Sequence, residues 1–562
     1  MNIFSRTGIF FLISAVALSC SKTPAQETEE PVKPKNSYVE SMYVNGQLVN
    51  AGGTVSGVDP ADITLKIVFS NEIDMSELSL GGISMSNGIG SDFTVMDSGD
   101  PYTLELHLNR ELKYFSSYYL YVSEGENLGL NIIDTYDYTI NTEIDPTPKF
   151  EEIPDEDLMT LVQKQTFSYF WDYAHPDSGL ARERLNSGNT VTSGGSGFGI
   201  MTIPVAVSRG FISREEAVER MLKIVTFLDE TAETFHGAFP HWLDGSTGKV
   251  IPFSSNDNGA DLVETAFLIQ GLLTVKEFFD GETRDEQLIR EKITSIWERV
   301  EWSWFRKNGE NRLYWHWSPD KDWAMNMPVS GWNEGLIVYV LAASSPTYPV
   351  DRQVYDEGWT GNGSFRNGKE FYGIELPLGQ DYGGPLFFTH YSFLGLDPRN
   401  LSDAYADYWE QNTAHARINH AYCKDNPKGW YGYSDSCWGL TASDYPDGYT
   451  ASSPTNDTGT IAPTAALSSF PYTPEESMAA MKYFYYILGD RLWGEYGFKD
   501  AFNLDRRWIA SSYIAIDQGP IVIMMENYRT GLLWDLFMKN SDILTGLSRL
   551  GFTVSGQTAV LR

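Results

Sequence analysis

One change in hydrophobic spacing constrains this chain more than any other feature. Over residues 38–144, apolar side chains recur at every second position in short runs. Ile63, Leu65, Ile67 and Phe69 alternate with Thr64, Lys66 and Ser70, Leu104, Leu106 and Leu108 with Thr103, Glu105 and His107, and Tyr136, Tyr138 and Ile140 repeat the pattern. A period of two is that of a strand with one buried face. Turns containing Gly and Asn separate the runs, so residues 38–145 are expected to form a small all-β sandwich. After the Pro- and acid-rich segment DPTPKFEEIPDED (145–157) the alternation stops and helical spacing takes over. Helices are expected near 155–175, 213–233, 259–281, 284–305, 331–344, 401–421, 474–490 and 519–538. About ten to twelve helices over 155–562, with loops rich in Gly, Trp and Tyr at alternate junctions, predict helical hairpins closed into a ring. The expected fold is therefore an all-α (α/α)6 barrel behind a β-sandwich; no fixed repeat period suggests a solenoid.

Charge narrows the ligand. A formal net charge of −34 opposes nucleic acid, anionic lipid headgroups and polyanionic substrates. The 16 Trp and 32 Tyr suit a ligand with flat apolar faces and many hydroxyls, although a large core uses the same residues. Residues 1–20 have the layout of an export signal: Arg6, an apolar run over 8–18, then Ala17-Leu18-Ser19-Cys20. The run is too short to span a bilayer comfortably. A small-residue cleavage site ending in Cys resembles that of bacterial lipoproteins, which would make Cys20 the lipidated residue; an ordinary signal with an incidental Cys is the alternative. Residues 21–37 are polar and Pro-rich and read as a tether. A monomeric lipoprotein of the outer membrane, facing the periplasm or the outside, is expected. Cys423 and Cys437 are either a disulfide or two buried thiols, and are too few for a structural zinc site.

The chemistry sits where apolar helices begin. In SSNDNGADLVETAFLIQGLL (254–273), Asp257, Asp261 and Glu264 are spaced i, i+4, i+7, which predicts one stripe on a helix that is otherwise apolar nearly all round. A cap and first-turn acids would explain one or two of them; Glu264 fits that account poorly. Glu334 follows Gly331-Trp332-Asn333 and precedes a continuous apolar run, a setting that desolvates a carboxyl and suits a general acid. Asp517 precedes Gly519-Pro520 at a third such entry, whereas Glu526 reads as the partner of Arg529. Buried helices that each open on an acid match glycoside hydrolysis, in which one carboxylic acid protonates the leaving oxygen and a carboxylate activates water or attacks carbon. Trp242, Trp315, Trp317, Trp332, Tyr382, Tyr391, Trp430 and Trp438 are candidate stacking platforms, several of which must be core, and His390 and His420 are candidate cleft residues. The sequence contains no Gly-rich phosphate loop and no HExxH, and Gly194-Gly195-Ser196-Gly197 lacks the strand context of a nucleophile elbow.

The segments GWNEG, DYGGPLFFTHYSFLGLDPR, NPKGWYGYSDSCWGLTASD, APTAALSSFPYTPEES and DQGPIVIMMENYRTGLLW resemble the glucoamylase-like domain of exported Bacteroidetes proteins. That group includes glycoside hydrolase family 144, whose members act on β-1,2-glucan. The resemblance covers roughly residues 155–551, and ITLKIVFSNEID resembles bacterial Ig-like modules, here a spacer or docking module. It implies an (α/α)6 barrel, no cofactor or obligatory metal, and an inverting mechanism. The family's acids map onto Asp257, Asp261, Glu264 and Glu334, with Asp517 as a further candidate. Substrate contacts are expected from Trp242, Trp317, Trp332, Tyr382, His390, Trp430 and Trp438. Two readings stand: a hydrolase of β-1,2-glucan or another glucan, and a non-catalytic glycan-binding lipoprotein that uses the same aromatic cleft. In the first, Glu334 is the expected general acid and the base is Asp517 or a member of the 257–264 stripe. Inversion asks for ~6.5–9.5 Å between the two carboxyls.

Overall fold

In the computed structural model, which describes residues 33–554, the alternating segments pair as strands in two main sheets. One sheet runs in the order Gln47–Val49, Val39–Val44, Thr64–Phe69, Thr103–Leu108, Phe93–Met96, and the other Thr54–Val58, Tyr136–Thr142, Ser117–Val122, Ile83–Met85. Leu65, Ile67 and Phe69 point inward and are buried while Lys66 between them is exposed, which is the alternation expected from the sequence. The inward faces of both sheets share one core, with Leu104, Leu106, Leu120, Tyr138 and Ile140 at its centre, so this is a two-layer all-β domain. It forms the first of two compact units, Met1–Leu112 with Ser117–Asn141; the second is Lys113–Ser116 with Thr142–Arg562.

The second unit is predominantly helical. Its principal helices are α1 (Asp155–Trp171), α2 (Ser193–Ser208), α3 (Arg214–Glu230), α4 (Leu262–Phe278), α5 (Arg284–Glu298), α6 (Leu336–Ser344), α7 (Tyr408–Asp425), α8 (Pro463–Leu467), α9 (Pro474–Lys482), α10 (Ala515–Arg529), α11 (Leu532–Phe537) and α12 (Ser541–Leu550). They come in two kinds. Helices α2, α4, α6 and α10 are buried on nearly every side. Helices α3, α5 and α12 bury one stripe each, Ile289, Ile293 and Ile296 in α5 and Ile543, Leu547 and Leu550 in α12. The buried helices pack on one another, α2 against α4 and α10 and α4 against α6, while α1 packs on α10, α12 on α6 and α3 on α5. Short strands occupy the loops, so the unit is not wholly helical: Thr190–Thr192, Trp242–Asp244 and Val250–Ile251 form one small sheet.

Several local expectations are corrected. Helix α2 lies outside the helices expected from spacing, because SGGSGFG is a poor helix former and Pro204 lies inside the run. Packing overrides propensity here. A Cβ at Gly197 would sit 2.3 Å from the Phe267 carbonyl oxygen, and one at Gly271 2.2 Å from that of Gly197, so only glycine lets α2 and α4 approach this closely. The helix expected over 519–538 begins at Ala515 and is broken at Gly531, whose φ of 77° separates α10 from α11. Glu526 does not pair with Arg529: it accepts two hydrogen bonds from Arg209, at 2.8 and 2.9 Å, and Arg529 turns to Gln163 and Glu156. Cys423 and Cys437 are buried free thiols. Among the described residues no helix is long and apolar enough to cross a membrane. Cys20 lies outside them.

Candidate active site

The four buried helices bring their N-terminal ends to one place. Thr192 immediately precedes α2, Glu264 sits in the first turn of α4, Glu334 immediately precedes the Gly335 that leads into α6, and Ile514 and Ile516 flank the start of α10. All five line a cavity of about 480 Å³, within the range of small-ligand sites. Helix N-termini carry partial positive charge and unpaired N–H groups, which suits a site built from carboxylates. Glu264 shows the effect directly. Its Oε2 accepts from the Gly194 N–H at 2.8 Å and from the Thr192 hydroxyl at 3.3 Å, so it caps α2 from across the cavity wall. A Cβ at Gly194 would lie 2.5 Å from that oxygen, and this explains the glycine. The short strand Thr190–Thr192 does precede the Gly-rich turn, but the Ser196 hydroxyl accepts from the Ala181 N–H rather than standing free as a nucleophile.

The structure gathers the 257–264 acids by a different geometry from a helical stripe. Helix α4 starts only at Leu262, so Asp257 lies in a preceding turn and Asp261 is the N-cap, its Oδ1 accepting from the N–H groups of Val263 and Glu264 at 3.0 and 2.9 Å. Pairing of Ala260–Asp261 with His316–Trp317 sets His316 beside them, its Nε2 at 3.5 Å from Asp257 and 3.7 Å from Asp261. His241 completes the group: its Nδ1 donates to Asp261 Oδ2 at 3.1 Å, and its Nε2 lies 4.0 Å from Glu264. The ladder between Thr190–Thr192 and Trp242–Asp244 brings it there. Burial opposes a charge on His241, but Glu264 and Asp261 outweigh it and lift the pKa to about 9. The imidazolium and the helix N–H groups hold Asp261 ionised against burial. Burial and the neighbouring Asp261 push Asp257 up to about 7, and burial also raises Glu264. His241, Asp257 and Asp261 bring ligand atoms within 4.8 Å of one another, close enough to hold a metal ion.

Glu334 faces the same cavity. Burial, reinforced by Glu264 and Asp261, raises its carboxyl to about 7. Among the described residues no side chain donates to that carboxylate; the Ser392 hydroxyl bonds only its backbone oxygen. Asp517 is placed differently. It is fully buried behind Tyr391, whose hydroxyl donates to Asp517 Oδ1 at 3.3 Å and whose ring lines the cavity. Its Oδ2, like Oδ1 of Asp500, has no donor among the described side chains, and the two carboxyls bond each other. Two buried carboxyls in that contact need a proton between them. Burial raises both: Asp500 to about 7, with the Asp444 carboxylate adding to it, and Asp517 well above the carboxylate range, with Asp500 adding to it.

Of the expected aromatic platforms, Trp242 lines the cavity together with Trp315 and Tyr391. The others do not. Trp332 and Trp438 are core residues, Trp332 against Tyr408 and Trp438 with its N–H on the Glu476 carbonyl. Trp317 packs edge-on to His236 and Trp304. Tyr382 lies against Phe371, and Trp430 donates to Asp457 at 2.9 Å. His390 is buried against Ser469 and pushed down to about 3 by burial. The residues missed were Glu183, His241 and Phe253, on loops around the cavity, and Tyr449, on the short strand Gly448–Ala451. Phe253 is half exposed and stacks on His241 at 4.3 Å, and its place on a Gly- and Asn-rich turn carried no periodic signal.

This geometry has close relatives. A family profile described as "Putative glucoamylase" matches residues 326–541. A curated relative from Parabacteroides distasonis, an exo beta-1,2-glucooligosaccharide sophorohydrolase (non-reducing end), is 47% identical over 418 residues, 70% of this chain. The match spans 58% of that relative's length. Among solved structures, the endo-beta-1,2-glucanase from Chitinophaga pinensis, in complex with sophorotriose and glucose, is 52% identical with a TM-score of 0.70, covering 72% of this chain and 99% of that one. The beta-1,2-glucanase from Parabacteroides distasonis is 37% identical with a TM-score of 0.70, covering 93% of this chain and 74% of that one. With half of the aligned residues identical along nearly the whole of the Chitinophaga structure, and with acids grouped at the mouths of its buried helices, the chain belongs to the glucoamylase-like family.

Proposed function

We propose that this protein hydrolyses β-1,2-glucan or β-1,2-gluco-oligosaccharides with inversion at the anomeric carbon. The observation that carries the reading is the pairing of Glu334 and Glu264 on one cavity, the first with a proton affinity near neutrality. The acts of the relatives, each named for β-1,2-linked glucose, support the substrate. Glu334 would donate its proton to the departing glycosidic oxygen while a second carboxylate removes one from the attacking water. Glu264 is our assignment for that second role, because it reaches the cavity, whereas Asp261 is committed to its cap and Asp517 stands protonated behind Tyr391. His241 and Asp257 would hold Glu264 and sugar hydroxyls in register. Alternation of buried and one-faced helices supports an (α/α)6 barrel as the scaffold. The purified protein should release reducing ends from linear β-1,2-glucan and none from laminarin or starch, with the inverted anomer appearing first by NMR. Glycan binding without product overturns the enzymatic reading.

The layout of residues 1–20 supports an exported lipoprotein anchored through Cys20 in the outer membrane. Cys20→Ala should move the protein from the membrane fraction to the soluble one; unchanged fractionation refutes lipidation.

A further inference from the structure

The cavity does not end at its catalytic acids. A second cavity of about 580 Å³ adjoins it and shares two wall residues, Arg184 and Tyr449. Its remaining wall includes Asn186, Tyr445, Trp508 and Ser511. Trp508 lies on the strand Trp508–Ile509, paired with Phe502–Asn503, and is half-buried. Its neighbour Ile509 packs on the hydrophobic core, but Trp508 is part of no such cluster, and among the described residues its ring meets no other ring. An isolated indole on a surface needs no explanation. This one stands in a groove that shares Arg184 and Tyr449 with the catalytic cavity, and Tyr449 is 50% exposed. Polar groups are arranged around it. The Arg184 guanidinium is fixed by Asp444 at 3.0 Å and by Glu183 at 3.0 Å, and Ser512 donates to Asp444 at 2.5 Å, so the donors in the shared wall are held in place. A flat apolar ring flanked by rigid donors and acceptors suits a glucosyl unit, with its apolar face and equatorial hydroxyls, better than a charged ligand.

We propose that this adjoining groove binds the glucosyl units that continue the glucan beyond the catalytic cavity, with Trp508 as their stacking platform. The inference rests on the β-1,2-glucan reading and adds to it where the chain runs and what grips it. Trp508 lines the second cavity and not the first, and neither Glu334 nor Glu264 lines the second. Its removal acts on substrate length rather than on chemistry.

The test compares kcat/KM on β-1,2-gluco-oligosaccharides of increasing length and on long β-1,2-glucan. Trp508→Ala should lower the value by about 2- to 12-fold on long chains, the worth of one aromatic stacking contact, and leave the shortest cleaved oligosaccharide unchanged. Trp508→Phe should restore most of the loss. Ser511→Trp, which fills the groove from an exposed position, should reproduce the length-selective defect and guards against a folding effect of the first variant. A loss equal at all lengths, or no loss at any, overturns the inference. Failure of the parent protein to cleave β-1,2-glucan at all overturns instead the functional reading beneath it.

Discussion

Replacing Glu334 with Gln should move activity and stability in opposite directions. The substitution keeps the side chain's shape and removes its titratable proton. Burial, with Glu264 and Asp261 adding like charge, lifts this carboxyl from 4.5 to about 7. The folded protein thus holds the proton more tightly than the unfolded chain. Folding is therefore progressively penalised as pH rises from 4.5 through 7, and the full penalty applies above that window. At ~1.36 kcal/mol per pH unit the rise is worth up to about 3 kcal/mol, trimmed by whatever solvent reaches the carboxyl from the cavity. Gln carries no such penalty. The variant should be more stable than its parent at pH 8 and equal to it at pH 4. For a unit of about 400 residues unfolding with ~2.1 cal/mol/K per residue, the gain is a Tm rise of roughly 3 °C. Turnover should fall by about a hundredfold or more while ligand binding stays nearly intact. The parent's kcat/KM should decline above about pH 7 as the acid is lost, and that alkaline limb should be missing from the variant's residual activity. Thermal melts at the two pH values and reducing-sugar assays on β-1,2-glucan decide it. Near-parental turnover removes Glu334 from the acid's role, and a lower Tm at pH 8 refutes the desolvation argument.

Gly194→Ala places a methyl 2.5 Å from Glu264 Oε2 and 3.0 Å from the Phe267 ring; the expected result is a stability loss of about 1–3 kcal/mol and a turnover loss of at least about tenfold, and unaltered turnover would show that Glu264 need not be held there. His241→Gln removes the imidazolium between Asp261 and Glu264. Because the folded pKa is raised from 6.5 to about 9, its stabilisation is complete below 6.5 and disappears as pH rises through 9. The Tm gap to the parent should be widest near pH 6 and close by pH 9.5; a gap independent of pH counts against the charge. Gly197→Ala, at the contact of α2 with α4, should destabilise by about 1–3 kcal/mol or more because backbone rather than side chain must yield. A parental melting curve would contradict the close approach.

The two-part organisation was legible because periodicity is a local property. Leu65, Ile67 and Phe69 bury one face of a strand whatever that strand pairs with, and LIVYVLAAS is apolar on all sides whatever surrounds it. The setting of Glu334 was legible for the same reason: its desolvation follows from the run it precedes. Asp257, Asp261 and Glu264 were found through a spacing that the fold does not use, since the helix begins after the first two. They meet because the chain turns at 254–257 and a short ladder carries His316 alongside.

What tertiary structure alone decided is which distant pieces converge. His241 and Asp500 lie 20 and 17 residues from the acids they bond, along a path with no periodic signal, yet they set the protonation of Asp261 and Asp517. Trp242 and Trp315 reach the cavity while Trp332 and Trp438 fill core, and nothing in an indole's own chemistry tells one fate from the other. Helix α2 exists against its own propensity because Gly197 and Gly271 let two backbones touch. Local sequence states which faces must be buried and where a helix may begin. That four buried helices start at the same cavity is set by long-range packing, and the proton affinities of the acids there follow from that convergence.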